Sequence, residues 1–290
     1  MTTPIHQKTK WLPSNRLRGK VTAVAFIAFT IGLMVASRSL DLDWNTISLR
    51  PVALITLLGA LHLALASSSL QLTARTVGRQ IGFRTGIAVS AMSNLAELLP
   101  LPGGAMVRGA ALMRAGARLY ESTSAVTVTA LLTLSLTISA AGIPLIMAAP
   151  VLGYPVFTVG IVCTLGSAIW IARSATVFII MAMITVRICA VFLSVARITA
   201  ACAVIGIIVS PIDAAIFVGS AALGASLSII PAGLGVSESI AAALAPLIDI
   251  RPSAAFLAVA LNRIVGLALS GAIALAFSLM RPPIPTGPTS

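Results

Sequence analysis

Charged residues are scarce in this sequence. Asp, Glu, Lys and Arg make up 9% of its 290 residues, whereas a soluble domain has about 25%. Hydrophobic residues reach 58%, and no long polar segment remains that could fold as a separate soluble domain. A transmembrane helix needs roughly 20 apolar residues. The composition therefore predicts an integral membrane protein with a single membrane domain, and it argues against a soluble enzyme or binding module.

Residues that bind metals or carry out catalysis are also few. Cys163, Cys189 and Cys202 lie in apolar segments, at spacings that match no zinc or redox motif. His6 lies in a polar N-terminal stretch, and His62 lies within an apolar segment, where we interpret it as a packed, hydrogen-bonded residue. The sequence contains neither HExxH nor GxSxG. We therefore expect no metal and no cofactor, and an enzymatic role is the less favoured but open class.

Acidic residues are fewer than basic ones, 7 against 19, which gives a net charge of +12. A basic chain can bind nucleic acid, but these basic residues lie beside apolar segments, so we expect no nucleic-acid partner. The positive-inside rule accounts for these basic residues. It predicts a protein of the bacterial inner (plasma) membrane whose N-terminus lies on the cytoplasmic side. The predicted boundaries are a basic cytoplasmic tail over 1–20, a transmembrane domain over 21–281 and a short tail over 282–290.

Six apolar segments have the length of single helical crossings. In chain order they are 21–37, 51–70, 121–145, 154–172, 174–209 and 253–280. The fifth segment is unusually long, but the stretch "LSVARITAACAV" at its centre has no Gly, Pro or Asn to make a turn. One long tilted helix is therefore preferred to two short spans.

Two further apolar segments, 85–118 and 213–249, are interrupted near their centres by Pro and Gly. A helix over 85–99 is ~22 Å long at about 1.5 Å per residue, which is shorter than the ~30 Å hydrocarbon core. Proline stops such a helix, and glycine permits a sharp reversal. Each segment is predicted to form a re-entrant helical hairpin, with a kinked membrane helix as the alternative.

The order of spans and hairpins is repeated along the chain. The halves over about 21–150 and 151–281 each contain two spans, a hairpin and a further span, and the Lys and Arg bias gives them opposite orientations. Inverted repeats with broken helices at matching positions indicate a transporter binding site. The predicted fold is therefore an all-α polytopic membrane protein with about six full spans and two re-entrant hairpins in an inverted repeat.

Polar residues at the helix breaks form the predicted binding site, and the two hairpins are expected to enclose one central polar cavity. Helix N-termini near Gly104 and Gly235 offer free N–H groups to phosphate or carboxylate. Asn94 and Glu97 share a helix face, and a carboxylate within the membrane indicates a partner or a functional role. The predicted substrate-binding residues are Asn94, Glu97, Pro100, Pro102, Gly103, Gly104, Arg108, Pro231, Gly233, Gly235, Glu238, Asn262 and Arg263.

Arg263 lies near the middle of the last predicted span, too deep for its side chain to reach the membrane surface easily. It therefore needs an acid, a carbonyl or a phosphate. One interpretation is an ion pair with Glu238 or Glu97 that fastens helices together. The other, which we predict, is binding of a lipid phosphate.

Three of these stretches carry a family resemblance. The chain resembles the lysylphosphatidylglycerol synthase transmembrane-region family, also called flippase-like domain proteins. The matching stretches are "LPLPGGAMVRGAALMRAG", "IIPAGLGVSESIAAAL" and "ALNRIVGLAL", the last of which contains Arg263. The resemblance covers roughly Ala53 to Ser278. It implies a polytopic membrane protein that moves lipids between leaflets.

The chain also departs from that family. Members often carry a Glu–Arg pair after the first hairpin, whereas "SAVTVTALLTLS" has none, and the chain has no soluble aminoacyl-transfer domain. The resemblance therefore implies the lipid-translocating part of that system and not the lipid-aminoacylating enzyme.

The sequence favours a flippase or transporter for an anionic phospholipid or a polyprenyl-linked lipid, with membrane lipids as its partners. The alternative is a non-transporting accessory subunit of a glycosyltransferase or another lipid-modifying enzyme. An intramembrane enzyme that acts on a lipid-linked sugar is a third class. The oligomeric state is left open by the sequence.

Overall fold

A computed structural model describes residues 15–40, 49–99, 102–226 and 233–280, and these residues form helices and connecting turns without a strand. In chain order the α-helices are α1 Asn15–Ser39, α2 Leu49–Thr76, α3 Phe83–Ala96, α4 Gly103–Arg114, α5 Leu119–Ala148, α6 Pro150–Ala172, α7 Val177–Val204, α8 Pro211–Ser226, α9 Val236–Leu244 and α10 Pro252–Leu279. A short 3-10 helix, Ala245–Ile248, follows α9. The predicted all-α class is confirmed.

Five helices, α2, α5, α6, α7 and α10, are long and apolar enough to cross a membrane. A 28-residue helix is about 42 Å long, which exceeds the ~30 Å hydrocarbon core. They correspond to five of the six predicted spans, and the first predicted span lies in α1, which contributes a shorter apolar helix over Phe26–Ser39. Large apolar side chains on α6 are exposed, including Val151, Val159 and Leu165, as expected of a surface that meets lipid. The chain is thus a multi-pass membrane protein.

The predicted segment 174–209 forms one unbroken helix, α7, as expected. The helix is shorter than the segment because it ends at Val204. Gly206 follows with φ +76°, a backbone conformation that favours glycine and reverses the chain direction.

The two interrupted segments each form a pair of short helices that pack against each other, α3 with α4 and α8 with α9. Helix α3 has 14 residues and α4 has 12, about 21 Å and 18 Å in length. The breaks therefore fall where Pro and Gly predicted them. Pro100 and Pro231 lie outside the described residues.

Small residues allow the paired short helices to approach closely. A Cβ atom at Gly103 would overlap the Ala96 carbonyl, and one at Gly224 would overlap the side chain and backbone of Ser237. Gly235, the residue before α9, has φ +81° and needs the conformational freedom of glycine.

Helix contacts recur between the two halves of the chain. We matched α1–α5 in order with α6–α10. Within each half, α2–α3 corresponds to α7–α8, α3–α4 to α8–α9, and α4–α5 to α9–α10, and all six contacts are present. Between the halves, α5–α8 corresponds to α10–α3 and α5–α6 to α10–α1, and these four contacts are present as well. Helices α2 and α7 are matched with each other, and they are also in contact. The contact between α6 and α7 has no comparable counterpart between α1 and α2 in the described part of the chain.

Helix α1 packs against α10, its main partner among the described residues. Gly32 lies against the ring of Phe256, and the rings of Phe29 and Phe256 are 6.3 Å apart. The first and last helices of the chain are thereby brought together.

Candidate functional site

A cavity of about 530 Å³ lies between α2, the α3–α4 pair, α5, α7 and the end of α8. On α2 its lining runs from His62 to Thr73, on α5 from Val126 to Thr137, and on α7 from Val186 to Ala190. These helices have 28 or 30 residues and are long enough to cross a membrane. The lining lies inside α5 and α7, whereas on α2 it reaches Thr73, close to the helix end at Thr76.

The charged residues that line the cavity are Glu97, Arg108 and Arg187, which together carry a net positive charge when all three are ionised. Arg108 Nη2 lies 3.7 Å from Glu97 Oε1, and their side chains are 34% and 43% exposed. Arg187 donates a hydrogen bond to the hydroxyl of Thr133. Its Nε is buried and has no partner within the described residues. This arrangement favours a ligand that carries negative charge.

The N-terminus of α4 also lines the cavity, through Pro102, Gly103 and Gly104. The first N–H groups of a helix have no partner inside it and carry partial positive charge. No side chain caps this end of α4 in the described residues. Ser93 holds the helix in place by donating a 2.8 Å hydrogen bond to the Gly104 carbonyl. The Glu97 carboxylate lies beside Gly104, so this helix end already has one anionic group near it.

Asn94 and His62 also line the cavity. Asn94 Nδ2 donates to Ser270 Oγ at 3.2 Å, which links α3 to α10. His62 lines the cavity, and its Nδ1 has no hydrogen-bond partner in the described part of the chain. The interpretation of His62 as a hydrogen-bonded packing residue stays a prediction.

A second polar cluster lies on α9 and α10. Arg263 Nε is 3.3 Å from Glu238 Oε1, and these side chains are 13% and 0% exposed. Arg263 Nη2 donates a 2.7 Å hydrogen bond to Ser237 Oγ. Glu238 also accepts a 2.9 Å hydrogen bond from the N–H of Gly235. Of the two interpretations of Arg263, the ion pair with an acid is the one present in the structure, and its binding of lipid phosphate stays a prediction.

Asn262 and Arg197 border the same cluster. Arg197 Nη2 donates to the Asn262 carbonyl at 3.1 Å, which connects α7 to α10. The Asn262 Oδ1 atom and one nitrogen of each arginine, Arg263 Nη1 and Arg197 Nε, are buried without a partner among the described residues. The cluster thus contains two arginines and one buried acid.

The predicted site residues therefore divide between two places, whereas one shared cavity was expected. Those on the cavity are Asn94, Glu97, Pro102, Gly103, Gly104 and Arg108. Gly233, Gly235, Glu238, Asn262 and Arg263 are absent from the cavity lining, and α8 contributes only Ala222, Ala225 and Ser226. Asn94 and Glu97 both line the cavity, although α3 ends at Ala96, before Glu97.

Several cavity residues were not predicted, namely His62 on α2, Arg187 on α7, and Thr129, Thr133 and Thr137 on α5. The threonines follow one another at intervals of four residues, which places them on one face of a helix. That spacing was the available signal in the sequence.

The described residues contain no group of three or more His, Cys, Asp or Glu side chains that could hold a metal ion. The chain matches no protein-family model, and no curated protein matches it significantly.

Proposed function

We propose that this membrane protein moves a lipid with an anionic headgroup, a phospholipid or a polyprenyl-linked lipid, between the two leaflets of a bilayer. The observation that carries the proposal is the cavity within the membrane-spanning helices, where two arginines and the N-terminus of α4 face a single carboxylate. A charged lining inside a hydrocarbon environment is costly and indicates a polar ligand or pathway.

The proposal includes an inverted repeat in which α3–α4 and α8–α9 are re-entrant hairpins. The recurrence of helix contacts between the halves supports this repeat. The lengths of α3 and α4 support re-entrance, since helices of about 20 Å do not span the hydrocarbon core. The bacterial inner membrane and a cytoplasmic N-terminus belong to the same proposal and are supported by the distribution of Lys and Arg.

The cavity offers phosphate two kinds of donor. Arg108 and Arg187 supply guanidinium groups, and a phosphate that binds Arg187 would also satisfy its unpartnered Nε. Gly103 and Gly104 supply backbone N–H groups at a helix N-terminus. The apolar part of the lining, which includes Leu65 and Leu134, suits the hydrocarbon next to a headgroup. The family resemblance implies the same class of substrate.

The test is lipid exchange in vesicles that contain the purified protein. A fluorescent phosphatidylglycerol is placed in both leaflets, and a reductant that cannot cross the membrane bleaches the outer one. Protein-dependent loss of the protected half is the expected result. Arg187→Gln should slow the exchange about tenfold or more, because a hydrogen bond to a charged group contributes about 1.5–3 kcal/mol.

The matched control is Arg173→Gln, which removes an exposed arginine at the end of α6 and away from the cavity lining. We expect this variant to exchange lipid at the rate of the unmodified protein. Exchange no faster than in protein-free vesicles would refute the proposal. An equal loss in both variants would show that the cavity arginine has no special role.

A further inference from the structure

Two ion pairs lie at the two pairs of short helices. Arg108 on α4 pairs with Glu97, which follows α3, and Arg263 on α10 pairs with Glu238 on α9. Helix α3 also packs against α10. Glu97 and Arg263 are therefore the two members through which one ion pair can act on the other.

Two contacts bracket the position of Glu97 along α10. Asn94 donates a hydrogen bond to Ser270, and Leu98 packs in the same hydrophobic cluster as Ala260. The residue three positions before Glu97 thus meets the later part of α10, and the residue after it meets the earlier part. Glu97 therefore lies beside the stretch of α10 between Ala260 and Ser270.

Arg263 belongs to that stretch and has an unused donor. Its Nε lies 3.3 Å from Glu238 Oε1 and its Nη2 donates to Ser237 Oγ, but Nη1 is buried and has no partner among the described residues. The negative charges of Glu238 and Glu97 both act on Arg263, and that of Glu238 is the stronger. Because a guanidinium has five N–H donors in a planar fork, Arg263 can contact two carboxylates at once.

Glu97 is held loosely by its present partner. Arg108 Nη2 lies 3.7 Å from the carboxylate, and both side chains are partly exposed. Such an exposed ion pair contributes little to stability. An anion that binds Arg108 in the cavity competes with Glu97 and can release it.

We propose that Arg263 is a positioning residue that links the cavity to the α8–α9 pair by exchanging its acid partners. When an anion takes Arg108, the released Glu97 turns to Arg263 Nη1. The contact between Arg263 and Glu238 then weakens, because one cation serves two carboxylates, and α9 is free to move relative to α10. This role rests on the proposed function and adds the contact by which a headgroup in the cavity changes the other half of the protein.

The experiment follows α9 while an anionic lipid binds. In a cysteine-free background of the full-length protein, Ser239→Cys carries an environment-sensitive fluorophore at an exposed position next to Glu238. Short-chain phosphatidylglycerol is added in detergent, and its binding is measured in parallel by calorimetry. We expect the emission to shift as this lipid binds, whereas short-chain phosphatidylcholine, which has no net charge, should give no shift.

Glu97→Gln separates binding from its consequence. Removal of the carboxylate that competes for Arg108 should tighten binding by up to about fivefold, yet the emission shift should be lost. A merely structural role of Glu97 would not combine tighter binding with a lost response. Asp249→Asn is the matched control, because it removes an exposed acid that does not line the cavity, and it should keep both the affinity and the shift.

Arg263→Lys keeps a positive charge beside Glu238 but offers one compact ammonium group in place of the fork. This variant should melt close to the temperature of the unmodified protein and bind the lipid, but it should lose the emission shift. If it does not fold, Glu97→Gln decides alone.

A shift that survives Glu97→Gln or a folded Arg263→Lys would overturn the exchange of partners, and so would an equal loss of the shift in Asp249→Asn. Binding of the lipid without any shift in the unmodified protein would overturn it too, while lipid exchange in vesicles would still support the proposed function. Absence of both binding and exchange would refute the proposed function together with this link.

Discussion

Removal of Arg263 tests the meaning of the buried ion pair. The Glu238 carboxylate is 0% exposed and its partner 3.3 Å away is 13% exposed. At an effective dielectric constant of about 20, such a pair attracts by about 5 kcal/mol, most of which offsets the cost of removing both charges from water. Arg263→Gln leaves the carboxylate buried without its cation, so the free energy of unfolding should fall by about 3–5 kcal/mol.

The control is the corresponding change at the other ion pair. Arg108 and Glu97 are 3.7 Å apart, and their side chains are 34% and 43% exposed. Arg108→Gln should therefore lower the free energy of unfolding by only about 0–1 kcal/mol. The assay is unfolding in detergent micelles, followed by circular dichroism, for each single variant and for the double variant Arg263→Gln with Glu238→Gln. The double variant should recover about 2 kcal/mol or more of the single loss, because no uncompensated charge remains.

If Arg263→Gln and Arg108→Gln destabilise the protein equally, burial does not distinguish the two pairs and the reasoning is refuted. A double variant that is less stable than Arg263→Gln alone would refute it as well.

The remaining predictions concern helix packing and topology. Gly103→Ala should lower the free energy of unfolding by about 1–3 kcal/mol, because the new Cβ atom would overlap a backbone carbonyl. Gly82→Ala should have little effect, because a Cβ atom there has no other atom within 4 Å. Equal melting temperatures of the two variants would contradict this prediction. Gly224→Ala should destabilise the α8–α9 pair in the same way, as measured by the same unfolding assay. In a cysteine-free background, Arg79→Cys and Pro150→Cys should react with a membrane-impermeant thiol reagent from opposite faces of the membrane, and labelling of both from one face would reject the predicted topology.

Much of the helical architecture could be predicted because its causes are local. The length of an apolar run predicts a crossing, and the Pro and Gly residues at the centre of 85–118 and 213–249 stop helices wherever they occur. The same logic predicted α7 as a single helix, since its centre contains no residue that breaks a helix.

The rotation of the long helices could not be predicted. Helices α5 and α7 are strongly apolar apart from a few polar side chains, so hydrophobic periodicity does not identify the face that turns inward. Arg187 and Thr133 are 54 positions apart in sequence, and their contact depends on how these two helices pack. Only the spacing of the threonines on α5 was visible in advance.

The division of the predicted site residues has a similar cause. Glu97 precedes one break and Glu238 follows the other, yet Glu97 lies on a cavity and Glu238 contacts Arg263, which also bonds to Ser237. The sequence shows which residues flank each break, whereas the space left beside them depends on the neighbouring helices.

The contact between α1 and α10 has a consequence for how the protein is made. Helix α1 is synthesised and inserted before α10. More than 200 residues separate the two helices in sequence, so α1 enters the membrane before its partner has been made. Only then can Gly32 receive the Phe256 ring. The joining of α1 to α10 is therefore a late step of folding, and a polypeptide whose synthesis stops before α10 leaves α1 without this partner.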